Sequence, residues 1–356
     1  HDVVSLALFV DREAVKKFTG IERTKSQRLI RKWLETEFSS TGSERLALEA
    51  LTEAADPDWT REFAGIGDLC LSEKTDFVAV PARERGDSGR ILFLHSQTGE
   101  TAEQWNGKQS GFVLGLLSSG KIRAVSSGSS RMEIASLDPK GGAPEVISLK
   151  HSQRILPTKW ADRMVAVGDD EIALVQLPGG KDLWRVPSRG PRGRGCLALS
   201  EETNRMAYSN GFDRELQIID LSDGSRKHRL KGHAAEVRYA TFSGDGKFVA
   251  SAATDGRIFV WRVEDGTRVA GFDSKSELSP LAFGGNGKHI WSTAGEHLIC
   301  CYRIQDGTPL HCLRLPKGGD FIVTSLVLAP DGKRLVAGCH GFNGTPSRVV
   351  GWSVLP

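Results

Sequence analysis

The sequence has 356 residues, 39% of them hydrophobic and 26% charged, an ordinary globular composition with material for one large or two modest cores. Its formal net charge of +3 is too mild to call for a nucleic-acid partner by itself. No run of about 18 apolar residues occurs, which excludes a membrane-spanning helix.

The first ten residues, HDVVSLALFV, read as a short apolar strand. The chain begins at His1 rather than Met, as a mature or excised piece of a longer protein would. From Arg12 the pattern turns helical: Leu29, Ile30, Trp33, Leu34 and Phe38 recur at helical spacing, with lysines and arginines opposite. A second helical stripe joins Leu46, Leu48, Leu51 and Ala55 and is stopped by Asp56-Pro57, because the residue before proline is pushed out of the α region. Residues 1–58 are thus expected to be a mainly helical appendage, or the tail of a larger domain.

Beyond Trp59 the helical period disappears and a repeat takes over. Its clearest unit is Lys231–Gly271, where Gly232-His233 is followed by three apolar runs, Val237–Phe242, Phe248–Ala252 and Ile258–Val263. The runs are separated by Asp245-Gly246, Asp255-Gly256 and Asp265-Gly266, pairs that mark hairpin turns because glycine takes positive φ without steric cost. Gly232-His233, Asp255-Gly256 and Trp261 at these offsets resemble a WD40 repeat, although the usual Trp-Asp ending reads Trp261-Arg262. Aligned on Trp261, related units centre on Leu94, Ala135, Val175, Ile219, Tyr302 and Trp352. Successive intervals of 41, 40, 44, 42, 41 and 50 residues give seven units of four strands. The long last interval is absorbed by an enlarged loop, His340–Arg348.

The fold class expected is therefore all-β: a divergent seven-bladed β-propeller over residues 59–356, preceded by the short helical segment. Only Leu355-Pro356 follows the third strand of the last unit, Val349–Val354, so that blade lacks its outer strand. Trp59–Ala64 precedes the first strand of blade one (Asp68–Leu71) and has no sheet of its own. Pairing the two closes the ring, the velcro closure that the resemblance implies, and removes two exposed edges.

The six cysteines show no zinc or haem spacing, so free buried thiols in a reducing, cytoplasmic setting are expected. A disulfide between neighbouring strands, such as Cys301 with Cys312, is the alternative. Neither a phosphate-binding loop nor an HExxH or EF-hand motif is present, and no cofactor or metal is expected. His233, Ser251 and Asp255 superficially suggest a hydrolase. The resemblance implies something else: a buried hydrogen-bond chain of His233, Ser251, Asp255 and Trp261 that braces the best-preserved blade.

Loops between second and third strands, and links between blades, share one rim. It is rich in arginine, which suits bidentate recognition of carboxylates or phosphates. A partner surface is expected there, made by Arg83, Arg85, Arg131, Arg189, Arg192, Arg194, Arg214, Arg257, Phe342 and Arg348. The resemblance implies a non-catalytic scaffold or sensor that docks a protein or peptide, and the arginines suggest an acidic one. Two alternatives are a nucleic-acid-associated propeller whose arginines meet phosphates, and a propeller enzyme with a site at the channel mouth. Few aromatics interleave the arginines, which disfavours a base-stacking platform.

Overall fold

The computed structural model describes residues 54–354 except 72–75, 84–89, 107–111, 117–121, 128–130, 138–146, 151, 159, 161, 169, 177–179, 189–195, 211, 275, 278, 285–286, 296–297, 317–319 and 330. The helical stretches expected between Arg12 and Leu51 lie outside the described residues. From Ala54 onward the chain builds seven antiparallel sheets, and no helix occurs among the described residues.

Each sheet is a blade, and in the first six the strands run outward in chain order. Blade one comprises Gly65–Ile66 with Cys70–Leu71, then Phe77–Arg83, Arg90–His95 and Thr101–Asn106. Blade two is Phe112–Leu116, Ile122–Ser127, Arg131–Leu137 and Ile147–Lys150; blade three is Ser152–Pro157, Arg163–Gly168, Glu171–Gln176 and Lys181–Pro187. Blade four is Leu197–Ser200, Arg205–Tyr208, Glu215–Asp220 and Arg226–Lys231; blade five is Val237–Phe242, Phe248–Ala253, Arg257–Arg262 and Arg268–Asp273. Blade six is Leu281–Phe283, His289–Ala294, Leu298–Arg303 and Pro309–Arg314.

Blade seven takes Phe321–Leu328, Arg334–Gly341 and Ser347–Ser353 from the end of the chain and borrows its outer strand, Trp59–Phe63, from the other end. Trp59 lies opposite Gly351 and Phe63 opposite Ser347, so the closure pairs the two segments that the sequence leaves without partners. Apolar side chains fill the spaces between blades. Phe63, Leu69, Val78, Val80 and Val349 pack between blades seven and one, and Leu216, Ile218, Val249, Phe259 and Trp261 between blades four and five.

Two expectations are corrected. Ala55 does not lie on a helix: it forms a parallel bridge to Leu313, receiving a hydrogen bond from Arg314 N (2.7 Å) and donating one to Cys312 O (3.0 Å). The open edge of a sheet captures extended backbone more readily than Asp56-Pro57 permits a helical turn. The second correction concerns the cysteines. Cys300 and Cys312 form a disulfide, their Cα atoms 4.1 Å apart, while Cys301 and Cys339 are free and buried. Register decides the partner, because Cys300 stands opposite Cys312 whereas Cys301 stands opposite His311 and points to the other face of the sheet.

Neighbouring blades are also latched near their outer rim. The Trp59 indole reaches the turn of blade one and donates to Ser96 O (3.0 Å). Trp184, on the outer strand of blade three, donates to Leu221 O of blade four (2.8 Å). Each ring lies over a turn glycine of positive φ, Gly99 (+70°) and Gly224 (+72°), where a Cβ would crowd the ring at 2.5 and 3.0 Å. His228 repeats the contact on Gly266, its Nε2 3.0 Å from Glu264 O.

Candidate interaction rim and its internal brace

Blade five carries the hydrogen-bond chain. Gly232-His233 enters from the blade-four link, Ser251 sits on the second strand, Asp255 in the following turn and Trp261 on the third strand. The Trp261 indole N–H donates to Ser251 Oγ (2.9 Å), and Ser251 Oγ lies 2.8 Å from His233 Nε2. His233 Nδ1 lies 3.2 Å from Asp255 Oδ2, which also accepts from Ala234 N (2.8 Å), while Asp255 Oδ1 accepts from Arg257 N (3.0 Å).

Burial favours the neutral ring, in which Nδ1–H donates to the Asp255 carboxylate and Nε2 accepts the one O–H of Ser251. Burial pushes the His233 pKa below its ordinary value and outweighs the pull of Asp255. Burial acts on Asp255 in the raising direction, but the N–H bonds from Ala234 and Arg257 together with His233 bring the net shift downward. Ser251 is fully buried, with 0% exposure. Its hydroxyl is committed at both ends and faces no solvent, so the trio is a brace and not an exposed nucleophile with its base.

The brace is incomplete in the next two blades. Strand register makes Ala337 of blade seven the counterpart of Ser251, and Trp352 that of Trp261. With no hydroxyl there, the buried Trp352 Nε1 has no hydrogen-bond partner. Blade six keeps Ser292 at this position but turns it to Pro280 O (3.0 Å), and the buried Tyr302 hydroxyl is unpartnered.

Of the expected rim residues, Arg85, Arg189, Arg192 and Arg194 lie outside the described residues. Arg83 ends the second strand of blade one and Arg131 opens the third strand of blade two. Arg214 and Arg257 stand exposed at the tops of the third strands of blades four and five. Phe342 is 41% exposed in the enlarged loop of blade seven, its ring edge-on to His340. Arg348 is tied down: its guanidinium pairs with Glu62 of the closing strand (3.0 Å) and lies over the Phe321 ring, leaving 12% of the side chain exposed. Arg348 therefore contributes to ring closure. Blade six separates Arg257 of blade five from Phe342 of blade seven, and blade three separates Arg131 of blade two from Arg214 of blade four, so the described members form two groups.

One residue was missed by sequence reasoning. Phe212, in the loop between the second and third strands of blade four, is 66% exposed, the most exposed large apolar side chain described. The residues on either side of it in the loop are hydrogen-bonded. Asn210 Nδ2 donates to Asp213 Oδ2 (2.7 Å), Asn210 Oδ1 lies 3.1 Å from Ser188 Oγ, and Val237 N of blade five donates to Asp213 O (3.0 Å). A phenylalanine at a turn tip, among asparagine, glycine and aspartate, is the signal that would have exposed it.

The WD domain, G-beta repeat family matches residues 224–262, from the last turn of blade four to the third strand of blade five. The human angio-associated migratory cell protein is 33% identical over 79 residues, 22% of this chain and 18% of that protein. The Xenopus laevis WD repeat and HMG-box DNA-binding protein 1 is 23% identical over 124 residues, 35% of this chain and 11% of that protein. The chain thus spans less than a fifth of the length of these relatives. Among solved structures, the β-propeller domain of Cps50 (Swd1) from Myceliophteria thermophila superposes with a TM-score of 0.66 at 15% identity, covering 84% of this chain and 99% of that one. The chain is a seven-bladed β-propeller that contains a WD40 repeat.

Proposed function

We infer that the ring is a non-catalytic interaction scaffold that docks an acidic protein or peptide on the rim where blades four and five meet. The observation that carries this reading is Phe212, exposed between the hydrogen-bonded Asn210 and Asp213, two residues before the exposed Arg214, with the exposed Arg257 leading the corresponding strand of the next blade. Aromatic and arginine side chains are the usual anchors of protein interfaces, since each buries large area with little entropy to lose. A preformed loop lowers the ordering cost of binding further. Closed-ring propellers with WD40 repeats generally serve as interaction scaffolds, and the brace beneath this rim holds its loops in place.

The test is quantitative capture with the full chain and with two variants, Phe212→Ala and Arg214→Glu/Arg257→Glu. The partner that survives washing with wild type is expected to be lost from both variants while their melting temperatures stay unchanged. A partner recovered equally by all three would overturn the assignment. A retained interaction that collapses steeply between low and moderate salt and is competed by DNA would instead favour phosphate recognition.

A further inference from the structure

Away from the rim, the outer strands of the blades differ sharply in charge. Arg226–Lys231 of blade four reads RKHRLK, four lysines or arginines and a histidine with no carboxylate. The other outer strands read TAEQWN, ISLK, KDLWRVP, RVAGFD, PLHCLR and WTREF, none with more than two such cations. Arg229 and Lys231 stand opposite Gln217 and Glu215 and share one face, and a bulge between Arg226 and His228 sets Lys227 at the start of the row. Two carboxylates of the neighbouring strand serve these cations. Glu215 pairs with Arg229 (2.7 Å) and Lys231 (3.4 Å), and Asp220 is shared by Lys227 (3.6 Å) and Arg205 (2.7 Å). Cations exceed anions, and Arg229 and Lys231 remain 49% and 66% exposed.

Among the described residues no strand pairs with the outer edge of Arg226–Lys231, so it presents a row of open backbone donors and acceptors. Blade six shows that such an edge on this ring accepts added extended backbone, there through one isolated bridge. There Ala55 hydrogen-bonds to both Cys312 and Arg314, and the Arg314 guanidinium reaches back to Ala54 O and to within 3.9 Å of Asp56. An extended segment, an arginine of the outer strand and an acidic residue of the added segment are therefore already combined once.

We propose that the outer edge of blade four is a docking site for an extended acidic peptide, which adds to the sheet as a fifth strand and lays its carboxylates along Lys227, Arg229 and Lys231. Backbone hydrogen bonds supply the attachment and alternate side chains the selectivity. A second copy of this chain is disfavoured as occupant, because like charges would face each other across the join. This surface lies on the side of the ring and stands or falls independently of the rim assignment.

The probe is a dye-labelled peptide of alternating Glu and Val, about eight residues long to match a strand, added to the full chain. Saturable binding is expected, with amide-exchange protection confined to Arg226–Lys231. N-methylation of alternate backbone amides leaves the peptide's charge unchanged yet should weaken binding by at least about tenfold, as should Lys227→Glu/Arg229→Glu in the protein. The peptide modification keeps the test sound if that double variant folds poorly. The proposal is overturned by no binding, by equal binding of the N-methylated peptide, by protection at the rim loops instead, or by a single-stranded oligonucleotide that displaces the peptide at matched charge.

Discussion

Trp59 donates its indole proton to the Ser96 carbonyl at 3.0 Å, tying the first strand of the described chain to the turn of the blade it must adjoin. The same ring lies against Gly351, where any Cβ would overlap it, so one side chain touches both sides of the closing seam. Closing a ring brings together segments nearly the whole chain apart, and the loop entropy is recovered only if the seam is well made.

Trp59→Ala is therefore expected to cost about 2–3 kcal/mol, less than a fully buried tryptophan because Trp59 is partly exposed. Trp59→Phe keeps the packing, loses the N–H, and should cost about 1 kcal/mol. Chemical denaturation checks both, and early amide exchange along Ser347–Ser353 in the alanine variant would locate the weakness at the seam.

Ser251→Ala leaves Trp261 Nε1 and His233 Nε2 buried without their shared partner, and should destabilise the ring by about 2–4 kcal/mol. Blade seven offers the reverse experiment. Ala337→Ser places a hydroxyl at the position that receives the indole in blade five, so a melting temperature equal to or above wild type is expected. Thermal unfolding of the two variants decides; a clear loss in Ala337→Ser would contradict the equivalence of the two blades.

Acid sensitivity follows from the same brace. The native His233 pKa lies below its ordinary 6.5, so the unfolded chain binds the proton more readily and stability falls as pH drops below that value. His289, also lowered chiefly by burial, adds to the slope. The contribution of Asp255, whose native pKa lies below 3.8, is present above that pH and lost as pH falls through its depressed value. Unfolding free energies measured between about pH 7 and pH 5 should decline in wild type and decline less in His233→Asn.

The seven blades and their closure were legible because Asp-Gly turns and a spacing near 42 residues survive even where the marker residues are lost. Contacts that cross blades were not. Nothing in the local pattern around Trp184 or His228 announces a ring resting on the next blade's turn glycine. Arg348 read as a free rim cation until the closing strand brought Glu62 beside it. Phe212 was overlooked for a related reason: exposure depends on what neighbouring loops cover, and periodicity carries no record of that.

The Cys300–Cys312 bond spans adjacent strands of one blade, so its removal should weaken the protein locally, by about 2 kcal/mol. Cys301 is no competitor for exchange, because burial pushes its thiol up to about 12. A reductant should lower the denaturation midpoint of wild type and leave Cys312→Ala unmoved. Equal sensitivity of the two proteins would show that the bond does not contribute.

The measurement closest to the central claim is the amide-exchange footprint of the full chain bound to the partner it captures. Protection over residues 210–214 and 254–257 is the predicted result, with the same footprint absent in Phe212→Ala. Protection confined to the opposite rim, at the turns of Asp223, Asp265 and Asp306, would contradict the account.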